Sequence, residues 1–174
     1  MKQSFLRGFR RLGRATDGIA AVEFALVLPV ILVLLFGTIS IGRLLNDYHI
    51  ATKSVRDATR YLSRKDITID CATIDQTQSA VVEAKNLALT GKVDGTPATE
   101  PLIGGWTNPA SINVVPDCHD NSTNAFRGFY DGKTNIHSVV MTASVPFNFM
   151  WGQLIGRNPV MTVTITQKMV YLGT

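Results

Sequence analysis

Charge is almost missing from the run Gly18 to Ser40, GIAAVEFALVLPVILVLLFGTIS, where Glu23 is the one ionisable side chain in twenty-three residues. Such a run is too apolar for a water-exposed loop. At about 1.5 Å per helical residue it is long enough to cross a bilayer core of about 30 Å. Catalytic spacings are missing too: the chain has no H-E-x-x-H, no G-x-S-x-G, no Walker A and no paired C-x-x-C. Those absences remove the usual metallopeptidase, serine-hydrolase, nucleotide-hydrolysing and dithiol chemistries. The three histidines, His49, His119 and His137, are scattered. The chain therefore reads as a non-enzyme that needs no cofactor.

A formal charge of +4 over 174 residues suggests nucleic acid until it is divided along the chain. Lys2, Arg7, Arg10, Arg11 and Arg14 precede Gly18 with Asp17 as the only acid, and beyond Gly18 twelve basic residues face twelve acidic ones. The basicity is an orientation signal, and no nucleic-acid docking motif accompanies it. Positive residues on one flank of a membrane helix hold that flank in the cytoplasm, so the C-terminal side is expected outside it. In that compartment disulfides persist. Cys71 and Cys118, the only two cysteines, then read either as one bridge or as two buried thiols, with the compartment favouring the bridge.

A basic leader before an apolar run also describes a secretory signal peptide, but the residues after the run, Gly37 to Arg43, make a poor A-x-A-like cleavage site. The alternative cut lies after Gly18. It frees the amine of Ile19 and makes Glu23 the fifth residue of the mature chain. A basic leader, Gly18, four small or apolar residues, Glu23, the aromatic Phe24 and an unbroken apolar helix resemble the class III signal of type IV pilins and pseudopilins. The wording AAVEFALVLPVILVLLFG, followed by a long helix with Arg56, Arg60 and Tyr61, resembles the TadE-like minor pseudopilins of the tight-adherence (Tad, or Flp) pilus system. The likeness covers residues 14 to 62 and is only general beyond them. Phe24 stands where the major Flp pilins usually have Tyr, and this chain is far longer than they are, so the likeness is not to the major filament subunit.

The resemblance implies processing between Gly18 and Ile19 by a membrane-embedded prepilin peptidase. It implies that Glu23, with Phe24 beside it, pairs with the N-terminal amine of a neighbouring subunit during assembly. It implies as partners the lipid bilayer, other Tad/Flp pilins and pseudopilins, and an inner-membrane assembly platform. The expected place is the bacterial inner membrane, single-pass, with the N-terminus cytoplasmic and the head periplasmic. The competing reading is an uncleaved signal-anchored envelope protein that scaffolds a secretion complex or binds something outside.

The expected organisation is a leader over 1–18, a transmembrane helix over 19–42, an amphipathic stem helix over 43–65 and an α+β head over 66–174. Pro29 is expected to kink the helix without ending it. Leu44, Tyr48, Ala51, Val55, Ala58 and Leu62 form a helical apolar stripe. A second helix is expected from Gln76 to Thr90, capped by Asp75 and stopped by Gly91, then an irregular loop from Lys92 to Thr107. Strands are expected at Ser111 to Val115, closed by Pro116, at Ile136 to Phe147 and at Val160 to Tyr171. The apolar residues between the last two, Phe149, Met150, Trp151, Leu154 and Ile155, suggest a helical turn or contact patch. The whole is a type IV pilin-like α+β fold, a long N-terminal helix packed on a small antiparallel sheet.

Asp117, Asp120 and Asp131 lie in loops with oxygen ligands of the kind calcium uses, but without EF-hand spacing, and Asp/Asn/Gly turns explain them as well. Asn121-Ser122-Thr123 spells a glycosylation sequon.

Overall fold

The computed structural model describes residues 17–148 and 160–173. Leader residues 1–16 and the apolar stretch holding Phe149, Met150, Trp151, Leu154 and Ile155 lie outside the described residues. The order is helix α1 (Asp17–Leu62), helix α2 (Ser79–Thr90), and strands β1 (Ile112–Asp120), β2 (Asn135–Asn148) and β3 (Val160–Val170). The strands form one antiparallel sheet in the order β1-β2-β3. The chain divides between Arg43 and Leu44 into two compact units.

In the first unit α1 passes through Pro29 without interruption. Its apolar side chains point outward on every face, from Ile19 (65% exposed) and Phe24 (61%) to Leu34 (64%). With a mean hydropathy of 2.8 in its most apolar window, it is the one helix among the described residues long and apolar enough to cross a membrane. Thr38 and Ser40 turn their hydroxyls back onto the carbonyls of Leu35 and Phe36, each at 2.8 Å, so these polar groups find partners inside the helix. A surface of this kind is stable only against lipid or other apolar helices.

In the second unit, Ala51, Val55, Ala58 and Leu62 are fully buried, at the four-three-four spacing of the stripe. Leu44 packs at the margin of the same core, whereas Tyr48 is 42% exposed and meets His49 edge-on at 6.1 Å. That core takes Val81, Ala84, Ala88 and Leu89 from α2, and Val114, Val139, Met141, Val145 and Ile165 from the inner face of the sheet. Each large aliphatic side chain so buried contributes about 1.5–3 kcal/mol.

Two expectations need correction. Helix α2 begins at Ser79, not Gln76, because Asp75 does not cap it: Asp75 Oδ1 accepts from the Thr77 N–H at 2.8 Å and from the Thr77 hydroxyl at 2.7 Å, closing a turn before the helix. Those two bonds hold the Asp75 carboxyl below its ordinary pKa. Strand β1 does not stop at Pro116 but runs to Asp120. Pro116 pairs with Val139 on the edge strand, where a missing N–H removes no ladder bond. The loop before β1 is irregular, as expected, and it delivers Ile103 (3% exposed) and Trp106 (1%) into the core. Trp106 Nε1 donates to Ser111 Oγ at 2.9 Å, which satisfies the buried indole N–H.

Helix α2 ends as expected, with Gly91 left-handed (φ 76°) and its N–H donating to the Leu87 carbonyl at 2.8 Å. Further on, a Cβ on Gly95 would sit 2.0 Å from Thr90 Oγ1, so only glycine fits there.

Candidate functional site

Two groups of residues carry chemistry, one in each unit. The first lies at the start of α1. Glu23 is exposed on the apolar helix and has no ion-pair partner among the described residues. Ile19 stands four residues earlier, so the two share a helix face one turn apart. Phe24 follows and is 61% exposed. A charged residue at the centre of a membrane helix costs roughly 2.5 to 3.5 kcal/mol, and a cationic partner offsets that cost. Gly18 lies within the helix, with nothing within 4 Å of the place a Cβ would occupy. No packing contact among the described residues asks for a glycine here.

The second group surrounds Cys71 and Cys118, which are joined by a disulfide with Cα atoms 5.5 Å apart. The bridge fastens the segment between α1 and α2 to the far end of β1. It closes 47 residues of chain, worth about 4 kcal/mol in the chain-entropy account. His137 lies directly opposite Cys118 in the β1–β2 register, its Nδ1 at 3.2 Å from Cys118 Sγ and 3.9 Å from Cys71 Sγ. No spacing along the chain announces this neighbour, because only the register brings residue 137 across from residue 118.

The three candidate aspartates do not converge, and Asp117 and Asp120 lie in strand β1 rather than in a loop. Asp117 pairs with Lys168 across the outer face of the sheet. Asp120 accepts from the Ser122 N–H at 2.9 Å and from its hydroxyl at 3.0 Å, bonds that hold its carboxyl below the ordinary range. Asp131 Oδ1 accepts from Asn124 Nδ2 at 2.5 Å. Asn121, the acceptor of the sequon, is 2% exposed, and its Nδ2 donates to the carbonyls of Phe126, Tyr130 and Lys133 at 3.0–3.2 Å. In the folded head that nitrogen is the hub of the loop and is not available for a glycan. His49 and His119 stay apart from these groups, the latter edge-on to Phe126 at 5.3 Å.

Where α1 ends, the Tyr61 hydroxyl donates to Glu83 Oε2 at 2.5 Å, with Lys65 Nζ at 3.8 Å from the same oxygen. Tyr61 first, and Glu83 after it, raise the Lys65 pKa.

A family model described as TadE-like protein matches residues 18–60, starting at Gly18 and ending two residues short of the end of α1. No curated protein and no solved structure matches the chain. Residues 18–60 are thus similar to the TadE-like family, and the long apolar helix with a small three-stranded antiparallel sheet is a pilin-like α+β arrangement.

Proposed function

We propose that this TadE-like chain is a structural minor pseudopilin, cleaved between Gly18 and Ile19, which assembles or primes a Tad/Flp pilus through helix α1. The observation that carries the reading is a coincidence of position. The family match opens at Gly18, a glycine without a packing reason, and five places on stands the one carboxylate of the otherwise uncharged run Gly18 to Ser40. Cleavage places a new ammonium at Ile19. In the low dielectric of the membrane an ammonium and a carboxylate attract strongly, while an unpaired carboxylate there is costly. The Glu23 of one subunit and the freed amine of the next offset each other's desolvation, and Phe24 packs against the neighbouring helix beside them.

The reading names as partners other Tad/Flp pilins and pseudopilins, the inner-membrane assembly platform and a prepilin peptidase. The basic leader holds the N-terminus in the cytoplasm and the head lies in the periplasm. In this role the protein acts by assembly and surface attachment and performs no reaction of its own.

Glu23→Ala tests the pairing. The variant is expected to insert into the membrane at the wild-type level and to lower the number of pili per cell, with Glu23→Asp intermediate. Wild-type piliation in Glu23→Ala contradicts the pairing role.

A further inference from the structure

We propose that Cys71, Cys118 and His137, once the disulfide between the first two is reduced, form a binding site for a thiophilic divalent cation, with zinc as its ligand. Among the described residues this is the one group of three metal-ligating side chains whose ligand atoms all lie within 4.8 Å of one another. A zinc ion bound at about 2.3 Å to sulfur and about 2.0–2.1 Å to nitrogen, with tetrahedral angles, sets each sulfur about 3.6 Å from the nitrogen. Nδ1 of His137 already stands at 3.2 and 3.9 Å from the two sulfurs, on either side of that distance.

The donors come from three segments of different rigidity. Cys118 and His137 are directly paired in the β1–β2 ladder, and the His137 carbonyl accepts from the Tyr171 N–H at 2.8 Å, so the central strand is held from both sides. Cys71 is exposed, near the tip of a small turn closed by the Ile69–Ile74 bridge. That turn stays in place without the disulfide. The Gln78 amide clamps Thr68, its Oε1 accepting from the N–H and its Nε2 donating to the carbonyl, both at 3.0 Å, and the Ile67 N–H donates to the Tyr171 hydroxyl at 3.2 Å. Reduction therefore leaves Cys71 near the other two donors with freedom for its sulfur to move away from that of Cys118.

The chemistry balances with one co-reactant. A dithiol of the thiol–disulfide oxidoreductase class gives two electrons and two protons to the bridge and becomes a disulfide itself, leaving two thiols. Zinc then displaces both thiol protons, and two thiolates, a neutral imidazole and one open position complete the site. Soft sulfur donors with an imidazole suit zinc and disfavour calcium or magnesium. Bridge and metal are alternative ties between the same segments, so binding is gated by redox state. This inference does not rest on the pilus reading.

The test uses the full chain in detergent, reduced with tris(2-carboxyethyl)phosphine, which adds no thiol, and titrated with Co2+ as the spectroscopic stand-in for zinc. The expected result is a near-ultraviolet thiolate-to-cobalt band and visible tetrahedral bands that saturate at one equivalent and vanish when zinc is added. The oxidised protein shows neither. His137→Ala, and His137→Asn as a polar replacement at the same register position, weaken cobalt binding by more than about tenfold, since even the outer partners of metal ligands are worth that much. Reduced wild type without these bands, binding in either His137 variant equal to wild type, or equal affinity in the urea-unfolded chain would overturn the proposal.

Discussion

Gln76 closes the outer edge of β1 at Val114: its Nε2 donates to the Val114 carbonyl at 2.6 Å, and its Oε1 accepts the Val114 N–H at 3.4 Å. One side-chain amide thus does for a single residue what a neighbouring strand would do, on an edge otherwise open to pairing with another chain. Gln76→Ala is expected to lower the unfolding free energy of the head by about 1–2 kcal/mol, because two backbone groups lose their partners. Gln76→Glu, which cannot donate to the carbonyl, is expected to lose at least as much. Denaturant titration of the two variants beside wild type is the check, and an unchanged midpoint in both would remove the clamp from the account.

Asn121 organises the loop between β1 and β2 through three donated bonds and one accepted from the Phe126 N–H at 2.9 Å. Asn121→Asp keeps the shape, removes the donors and faces three carbonyls with a carboxylate. It is expected to destabilise the head by about 2–3 kcal/mol or more, since unsatisfied buried groups carry their full desolvation cost. Hydrogen exchange at residues 121–134 is expected to accelerate before exchange elsewhere in the sheet. Uniform exchange across head and loop would show that the loop is held by something else.

Lys85 is 9% exposed on α2, with no hydrogen bond or ion pair among the described residues, and burial lowers its pKa. The unfolded chain, with a lysine pKa of about 10.4, then binds more protons than the folded one between the two values, so head stability rises with pH across that window. Lys85→Met removes that partly desolvated ammonium. It is expected to stabilise the head at pH 7 by about 1 kcal/mol and to abolish that rise toward pH 10. Thermal melts at pH 7 and pH 10 decide it: parallel behaviour of wild type and variant contradicts the assignment.

The parts of the molecule fixed by a simple period were legible in the sequence. Ala51, Val55, Ala58 and Leu62 repeat at helical spacing and are buried together. Alternation places Val163 and Ile165 on the core side of β3 and leaves Thr162 and Thr164 exposed. What escaped depends on tertiary neighbours. Pro116 reads as a stop until β1 is known to be an edge, and Asp75 reads as a cap until Thr77 is seen to take its carboxylate. Trp106 sits in a stretch of Gly, Pro and Thr with no period to betray its burial. At the start of α1 the sequence was more informative, because a single acid in an apolar run stands out without any neighbour. The cluster at His137 was invisible, since 19 residues and one strand register separate it from Cys118.

The central claim is that the chain is processed at Gly18. Intact-mass and N-terminal analysis of the protein, purified from cells that also make its prepilin peptidase, tests this most directly. The account predicts a mature chain beginning at Ile19, and a Gly18→Arg variant that stays uncut. Wild-type protein that retains Met1 or Lys2 under the same conditions would contradict it.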